Sequence, residues 1–225
     1  MAPMVHSLSR SLRGCALLAA AVLLGACSRV IVGSSQTVEA PAEKPPVPVA
    51  QLLIEPNRFP PQYPAAVLDG AGVDRAVQDI DGVPTGAVVT PAACTPPVLW
   101  HSEAAGVEGV DSANESRLIV LLIRPAPPLS DRTAQLRGCP TFDVGGSTVA
   151  VTELPAPPVD ADASYAVEQT VTTPDSERTT LTFAAQIGDT RVSVTWLQDP
   201  TVDEADTASL DALFRDAVLK LRRDG

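Results

Sequence analysis

The stretch 179–198 constrains the fold more than any other part of the chain. Leu181, Phe183, Ala185 and Ile187 alternate with other residues, and Val192, Val194 and Trp196 alternate again after Gly188-Asp189. A period of two puts each apolar set on one side of an extended strand, and a two-residue turn with glycine joins neighbours antiparallel. The sequence therefore predicts a hairpin over 179–187 and 190–198 with one apolar face. That face needs a cover. Leu210, Leu213, Phe214, Ala217, Val218 and Leu221 recur at helical spacing near the C-terminus and supply it. Thr201 and Glu204 have capping-box spacing for this helix; acids gather at its start, and Lys220, Arg222 and Arg223 at its end, as the macrodipole favours.

Other strands extend the sheet. Leu118-Ile119-Val120-Leu121-Leu122-Ile123 is an unbroken apolar run between Arg117 and Arg124-Pro125, the pattern of a central strand covered on both faces, and is too short to span a bilayer. Runs at 139–144 and 148–154 flank Gly145-Gly146 and form a second hairpin, and 164–172 is a further strand. A helical turn is expected near 131–138 and a short turn or half-helix at 91–97. Prolines enforce an extended entry segment over 58–64. Residues 67–82, rich in Gly and Asp, read as a surface loop, and 101–114, small and polar, as an exposed connection. The fold class is α+β, a single domain over 51–225 with a twisted, mainly antiparallel sheet covered by helices that include the C-terminal amphipathic one.

The N-terminal residues carry an address. Arg10 and Arg13 precede an apolar segment at 14–24 that is shorter than the ~20 residues of a membrane-spanning helix, so 1–26 reads as a signal peptide. Leu24-Gly25-Ala26-Cys27 resembles the lipobox of bacterial lipoproteins, which implies cleavage before Cys27 and a diacylglycerol thioether on its sulfur, with palmitate-type acyl chains. Two such chains hold a protein on a bilayer far more firmly than one. The alternative is an ordinary secretory peptide that leaves Cys27 as a free thiol. Residues 27–50 then comprise the lipidated Cys27 and a Pro/Ala-rich tether, too proline-dense to pack a core.

Charge and cysteines bound what the rest can be. Loss of 1–26 removes two arginines and no acid, so the formal charge moves from −11 to −13. Such a body does not suit nucleic acid as a partner, nor direct adhesion to anionic lipid, leaving the anchor as the membrane contact. Cys15 leaves with the signal and Cys27 is taken by lipid, so Cys94 and Cys139 remain to form one disulfide in an oxidising compartment. A redox pair would need closely spaced, tuned thiolates, as in Cys-x-x-Cys.

Candidate chemistry is sparse. His101 is the sole histidine after the signal, so a nucleophile–histidine arrangement would have to be built around it, and a surface loop is the simpler reading. With both thiols oxidised, a zinc site lacks ligands. Asp160-Ala161-Asp162 lacks the rest of a calcium loop, and Asp203-Glu204-Ala205-Asp206 suits a helix start better than an acid–base pair. Asn114-Glu115-Ser116 matches a glycosylation pattern of little meaning in a bacterial lipoprotein. No catalytic residue, metal or cofactor is expected. Phe59, Tyr63 and Trp100 are candidates for lining a ligand groove, with core packing as the alternative. The leading reading is a lipid-anchored, non-enzymatic binding or sensor-like module on the extracytoplasmic face of the cell membrane, with an envelope ligand or membrane-protein partner. The alternatives are an envelope hydrolase using His101 or a carboxylate pair, and a structural partner in an envelope complex.

Several motifs together resemble a family. The lipobox and tether, Val89-Thr90-Pro91-Ala92-Ala93-Cys94, Gly138-Cys139-Pro140-Thr141-Phe142 and the hairpin Ile187-Gly188-Asp189-Thr190-Arg191-Val192 before a helix are similar to mycobacterial lipoproteins related to the extracellular sensor domain of receptor serine/threonine kinases. The resemblance implies an antiparallel sheet flanked by helices, with a cleft for an envelope ligand. The chain departs from those kinase domains in having cysteines for one disulfide where they carry two, and no binding residue is carried over.

Overall fold

The computed structural model describes residues 46–97, 99, 102–202 and 204–225. The signal peptide, Cys27, most of the tether, Trp100, His101 and Asp203 lie outside the described residues. The elements run α1 (Val49–Leu52), β1 (Ala65–Val67), α2 (Gly70–Asp81), β2 (Val89–Thr90), β3 (Glu103–Val110), β4 (Arg117–Arg124), α3 (Leu129–Gly138), β5 (Thr141–Val144), β6 (Ser147–Leu154), β7 (Ala163–Thr172), β8 (Glu177–Ile187), β9 (Thr190–Leu197) and α4 (Thr207–Asp224). Single 3₁₀ turns lie at Pro56–Arg58 and Ala92–Cys94.

All nine strands join one antiparallel sheet, ordered β1-β3-β4-β9-β8-β7-β6-β5-β2. Strands β5 to β9 form a meander that returns to lay β9 against β4, which explains why β4 is buried on both faces. The hairpin register agrees with the alternation: Leu181 faces Trp196, Phe183 faces Val194 and Ala185 faces Val192, around Gly188 at φ +58°. On this first face α4 buries Leu210, Leu213, Phe214, Ala217, Val218 and Leu221, and the Phe183 and Phe214 rings meet edge to face at 5.7 Å. Trp196 lies under that helix, 2% exposed.

The second face is covered in three patches. Val73, Ala76 and Ile80 of α2 pack on Ile119, Leu121 and Ile123. Leu129 and Leu136 of α3 pack on Tyr165, Val167 and Ala184. At the far edge, Cys94 and Cys139 bond at 2.02 Å among Phe142, Val144 and Val149.

Three expectations are corrected. Residues 67–82 are not a loop, because Asp69 Oδ1 accepts from Gly72 N at 2.7 Å and caps α2, whose one apolar stripe suffices to bury it. Residues 101–114 are not an exposed connection, because their small side chains let β3 pack closely. A Cβ at Gly109 would lie 2.8 Å from Phe59 Cδ1, and one at Gly106 would lie 2.9 Å from Leu68 Cδ1. The C-terminal helix does not begin at a Thr201/Glu204 capping box. Its N-cap is Asp206, whose Oδ1 accepts from Ser209 N at 3.0 Å, while Thr201 is occupied with Asp199.

Candidate functional site

The second face is open at one end. At the C-terminal end of α2, Leu197 still packs beneath the helix and Arg117 pairs with its Asp79, while two residues along β8 from Thr180, the cross-strand partner of Leu197, Arg178 is exposed. Two adjoining hollows result, of about 300 and 350 Å³, which share Leu197 and Arg178 as common wall. The first is bounded by Val110, Glu115, Gln198 and Asp199, the second by Gln78, Asp79, Gly82 and Ser176. Arg117 and Asp79 join the two. Arg117 Nη2 pairs with Asp79 Oδ2 at 3.0 Å and Nη1 with Glu108 Oε1 at 2.8 Å, fixing the end of α2 to the strands.

This groove is built on a stiff frame. The β3–β4 turn at its rim is held by Ala113 N donating to Asp111 Oδ1 and Ser116 N donating to Asn114 Oδ1, both at 2.8 Å. Asn114, the glycosylation-pattern residue, thus has a turn-forming role. The Asp199 carboxyl is held below its ordinary range, first by the Thr201 hydroxyl and then by the Thr201 N–H, so it is anionic in the groove wall. Arg178 differs from Arg117: it is exposed, and its guanidinium has no hydrogen bond or ion pair among the described residues, only a longer-range attraction to Asp199. A guanidinium with free planar donors at the junction of two hollows can take a carboxylate, a phosphate or a row of hydroxyls.

The residues singled out from the sequence are not gathered at this groove. Phe59 and Tyr63 are in the main core, 7% and 2% exposed, against the expectation that they line a ligand groove. The entry segment turns at 60–63, where Tyr63 N donates to the Pro60 carbonyl at 2.8 Å, and lies on Gly109, whose missing side chain makes room for the Phe59 ring and for the Cβ and main-chain oxygen of Tyr63. Burial and the neighbouring Asp206 push the Tyr63 hydroxyl up to about 12. The third groove candidate, Trp100, and His101 lie outside the described residues. Asp160 and Asp162 pair with Arg222 at 3.1 and 3.4 Å, and Asp162 also accepts from Gly188 N at 2.7 Å, so they tie α4 to the β8–β9 turn. Among the described residues no group of three His, Cys, Asp or Glu side chains could hold a metal ion.

A second polar feature has no counterpart in the sequence reading. Between α2 and α3, over β7, β8 and β9, the second face buries Arg132, Gln169, Thr182, Arg191, Ser193 and Thr195. Arg132 Nη1 donates to Gln135 Oε1 at 2.5 Å, and Arg191 Nη2 to the Pro127 carbonyl at 2.6 Å. Asp81, last residue of α2, approaches Arg132 Nη2 at 3.5 Å. Burial raises the Asp81 carboxyl above its ordinary range despite the opposing pull of Arg132 and Arg191. Arg132 Nε, Arg191 Nε and Gln169 Oε1 have no partner among the described residues. Each such buried atom costs about 1–3 kcal/mol if left dry. These residues are spread from 81 to 195 along the chain, and only the fold brings them together.

Comparison with known proteins bears on the fold. No family model matches the chain, and no curated protein does. Among solved structures, the X-ray structure of an uncharacterised protein from Mycobacterium smegmatis, the Rv0999 ortholog, is similar with a TM-score of 0.51 at 19% identity, covering 79% of this chain and 98% of that one. At this identity the likeness is one of fold, shared with a mycobacterial protein, and it assigns no activity.

Proposed function

We propose that the chain is a lipid-anchored, non-enzymatic binding or sensor-like module of the cell envelope. Acyl chains on Cys27 hold it to the extracytoplasmic face of the cell membrane, and its ligand occupies the groove at the open end of the second sheet face. The observation that carries this reading is the unpaired Arg178 at the junction of the two hollows, on a frame otherwise closed by ion pairs and turn hydrogen bonds. Pre-formed concave sites with a few convergent polar groups are where proteins hold small molecules. The resemblance to lipoproteins related to receptor-kinase sensor domains fits the same role, with any signal passing through a partner membrane protein.

The test is native mass spectrometry of the chain gently extracted from its host envelope, wild type against Arg178→Ala. A reproducible adduct on wild type that the variant loses is the expected result, and its mass gives the ligand's chemical class. A bare chain in both samples contradicts small-molecule binding. The anchor is tested separately: Cys27→Ala should move the chain from the detergent phase to the aqueous phase.

A further inference from the structure

The seam between α2 and α3 holds more positive than negative charge. Two guanidinium groups, on Arg132 and Arg191, are 3% and 5% exposed, and the carboxylate buried with them is that of Asp81. Asp131, which also faces Arg191, is on the exposed surface of α3. Tyr165, the remaining titratable neighbour, is neutral because burial raises its phenol further above the ordinary range. Burial first, and then the nearby Arg132 guanidinium, disfavour the charge on Arg191. Among the described residues, neither Nε–H has an acceptor. A buried charge is ordinarily matched by a counter-charge and by hydrogen bonds, and here both are incomplete.

We propose that this seam is a binding site for a small oxyanion, a carboxylate or phosphate group held between Arg132 and Arg191, with the Asp81 carboxylate as its resident stand-in. Asp81 has the right chemistry and a poor fit: its carboxylate comes no nearer to Arg132 than 3.5 Å, the same Nη2 also donates to the Asp81 main-chain carbonyl at 3.4 Å, and neither Nε is used. It sits at the rim with 16% of its side chain exposed, so a turn about its own side-chain bonds brings it to water and opens the space it fills. An incoming oxyanion with two or three acceptor oxygens can take both Nε–H donors, which one short carboxylate tethered to α2 does not do. Gln169 Oε1, an acceptor without a donor, faces the same seam and accepts from water or from a protonated oxygen of the ligand. The site is distinct from the groove. They border each other at Gly82 and Thr180, but Arg178 has no part in the seam.

The experiment is thermal unfolding of the full chain titrated with sodium phosphate or sodium acetate, each against sodium chloride at equal ionic strength. Wild type should show a saturable rise in midpoint beyond chloride. In Asp81→Asn the half-saturating concentration should fall by about tenfold, because the internal competitor is gone. The double variant Asp81→Asn/Arg191→Gln should show no such rise. A larger response to phosphate than to acetate identifies a phosphate group as the ligand chemistry, and the reverse a carboxylate. No saturable rise in wild type overturns the proposal even if Asp81→Asn responds, since the space would then be made by the substitution. Should the double variant fail to fold, equal half-saturation in wild type and Asp81→Asn overturns it as well. Arg178→Ala should leave the titration unchanged, which separates this site from the groove.

Discussion

Breaking the Cys94–Cys139 bond should destabilise the protein by an amount that follows from the chain itself. The bond closes a loop with a sequence separation of 45. In the chain-entropy treatment that cross-link removes about 13 cal/mol/K from the unfolded ensemble, so its loss costs ~4 kcal/mol at 25 °C. For a domain of this size each kcal/mol moves the midpoint by about 2–4 °C, giving a fall of roughly 8–16 °C. The loss should be unevenly felt. The bond ties the 3₁₀ turn after β2 to the end of α3, and β2 completes the sheet edge through a pairing of two residues with β5. Urea unfolding of Cys94→Ala/Cys139→Ala against wild type measures the total, and amide exchange locates it. The variant should have a lower midpoint and a larger denaturant slope, since its unfolded chain is less compact, with protection lost first at β2 and β5. A loss below about 1 kcal/mol with an unchanged slope would refute the loop-closure account.

Three further outcomes are expected. Trp196→Ala removes a nearly fully buried ring from beneath α4 and should cost ~3–5 kcal/mol in chemical denaturation; near-wild-type stability would displace it from the core. Asp206→Ala should cost ~1 kcal/mol as the loss of an N-cap, whereas Glu204→Ala should be close to neutral in the same assay; the opposite order would restore the capping box at Thr201. Glu103 accepts from Val49 N at 3.1 Å and from Arg124 Nη2 at 2.6 Å, and these, in that order, hold its carboxyl below the ordinary range. Its contribution is therefore complete above the unfolded carboxyl pKa and is lost as pH falls through the lower folded value, so Glu103→Gln should show a shallower acid loss of stability than wild type.

The strands were legible where physical chemistry leaves few alternatives. Alternation around Gly188-Asp189 specifies a hairpin with one face, because a slip of one residue would put Phe183, Val194 and Trp196 in water. The run 118–123 was legible as a two-sided strand because it is apolar without alternation and bounded by Arg117 and Arg124-Pro125. What was missed has a common cause in small residues. Gly70-Ala71-Gly72 hides the start of α2, although Asp69 as cap and Val73, Ala76, Val77 and Ile80 at helical spacing are a usable signal. Strand β3 has few bulky or β-branched residues, and it forms because Gly106 and Gly109 admit Leu68, Phe59 and Tyr63, a requirement no local pattern states. The same packing takes two of the three aromatic groove candidates into the core. The groove and the seam were invisible to sequence reasoning, since Asp79, Arg117 and Arg178, or Asp81, Arg132 and Arg191, look like scattered surface charge until the sheet register is known.

Native mass spectrometry of the envelope-extracted chain, wild type beside Arg178→Ala, tests the central claim most directly. The account predicts a defined adduct on wild type that is lost when the Arg178 guanidinium is removed while the fold, followed by the thermal midpoint, stays intact. An adduct equally retained by Arg178→Ala, or none on either chain, would contradict the placement of ligand binding at this groove.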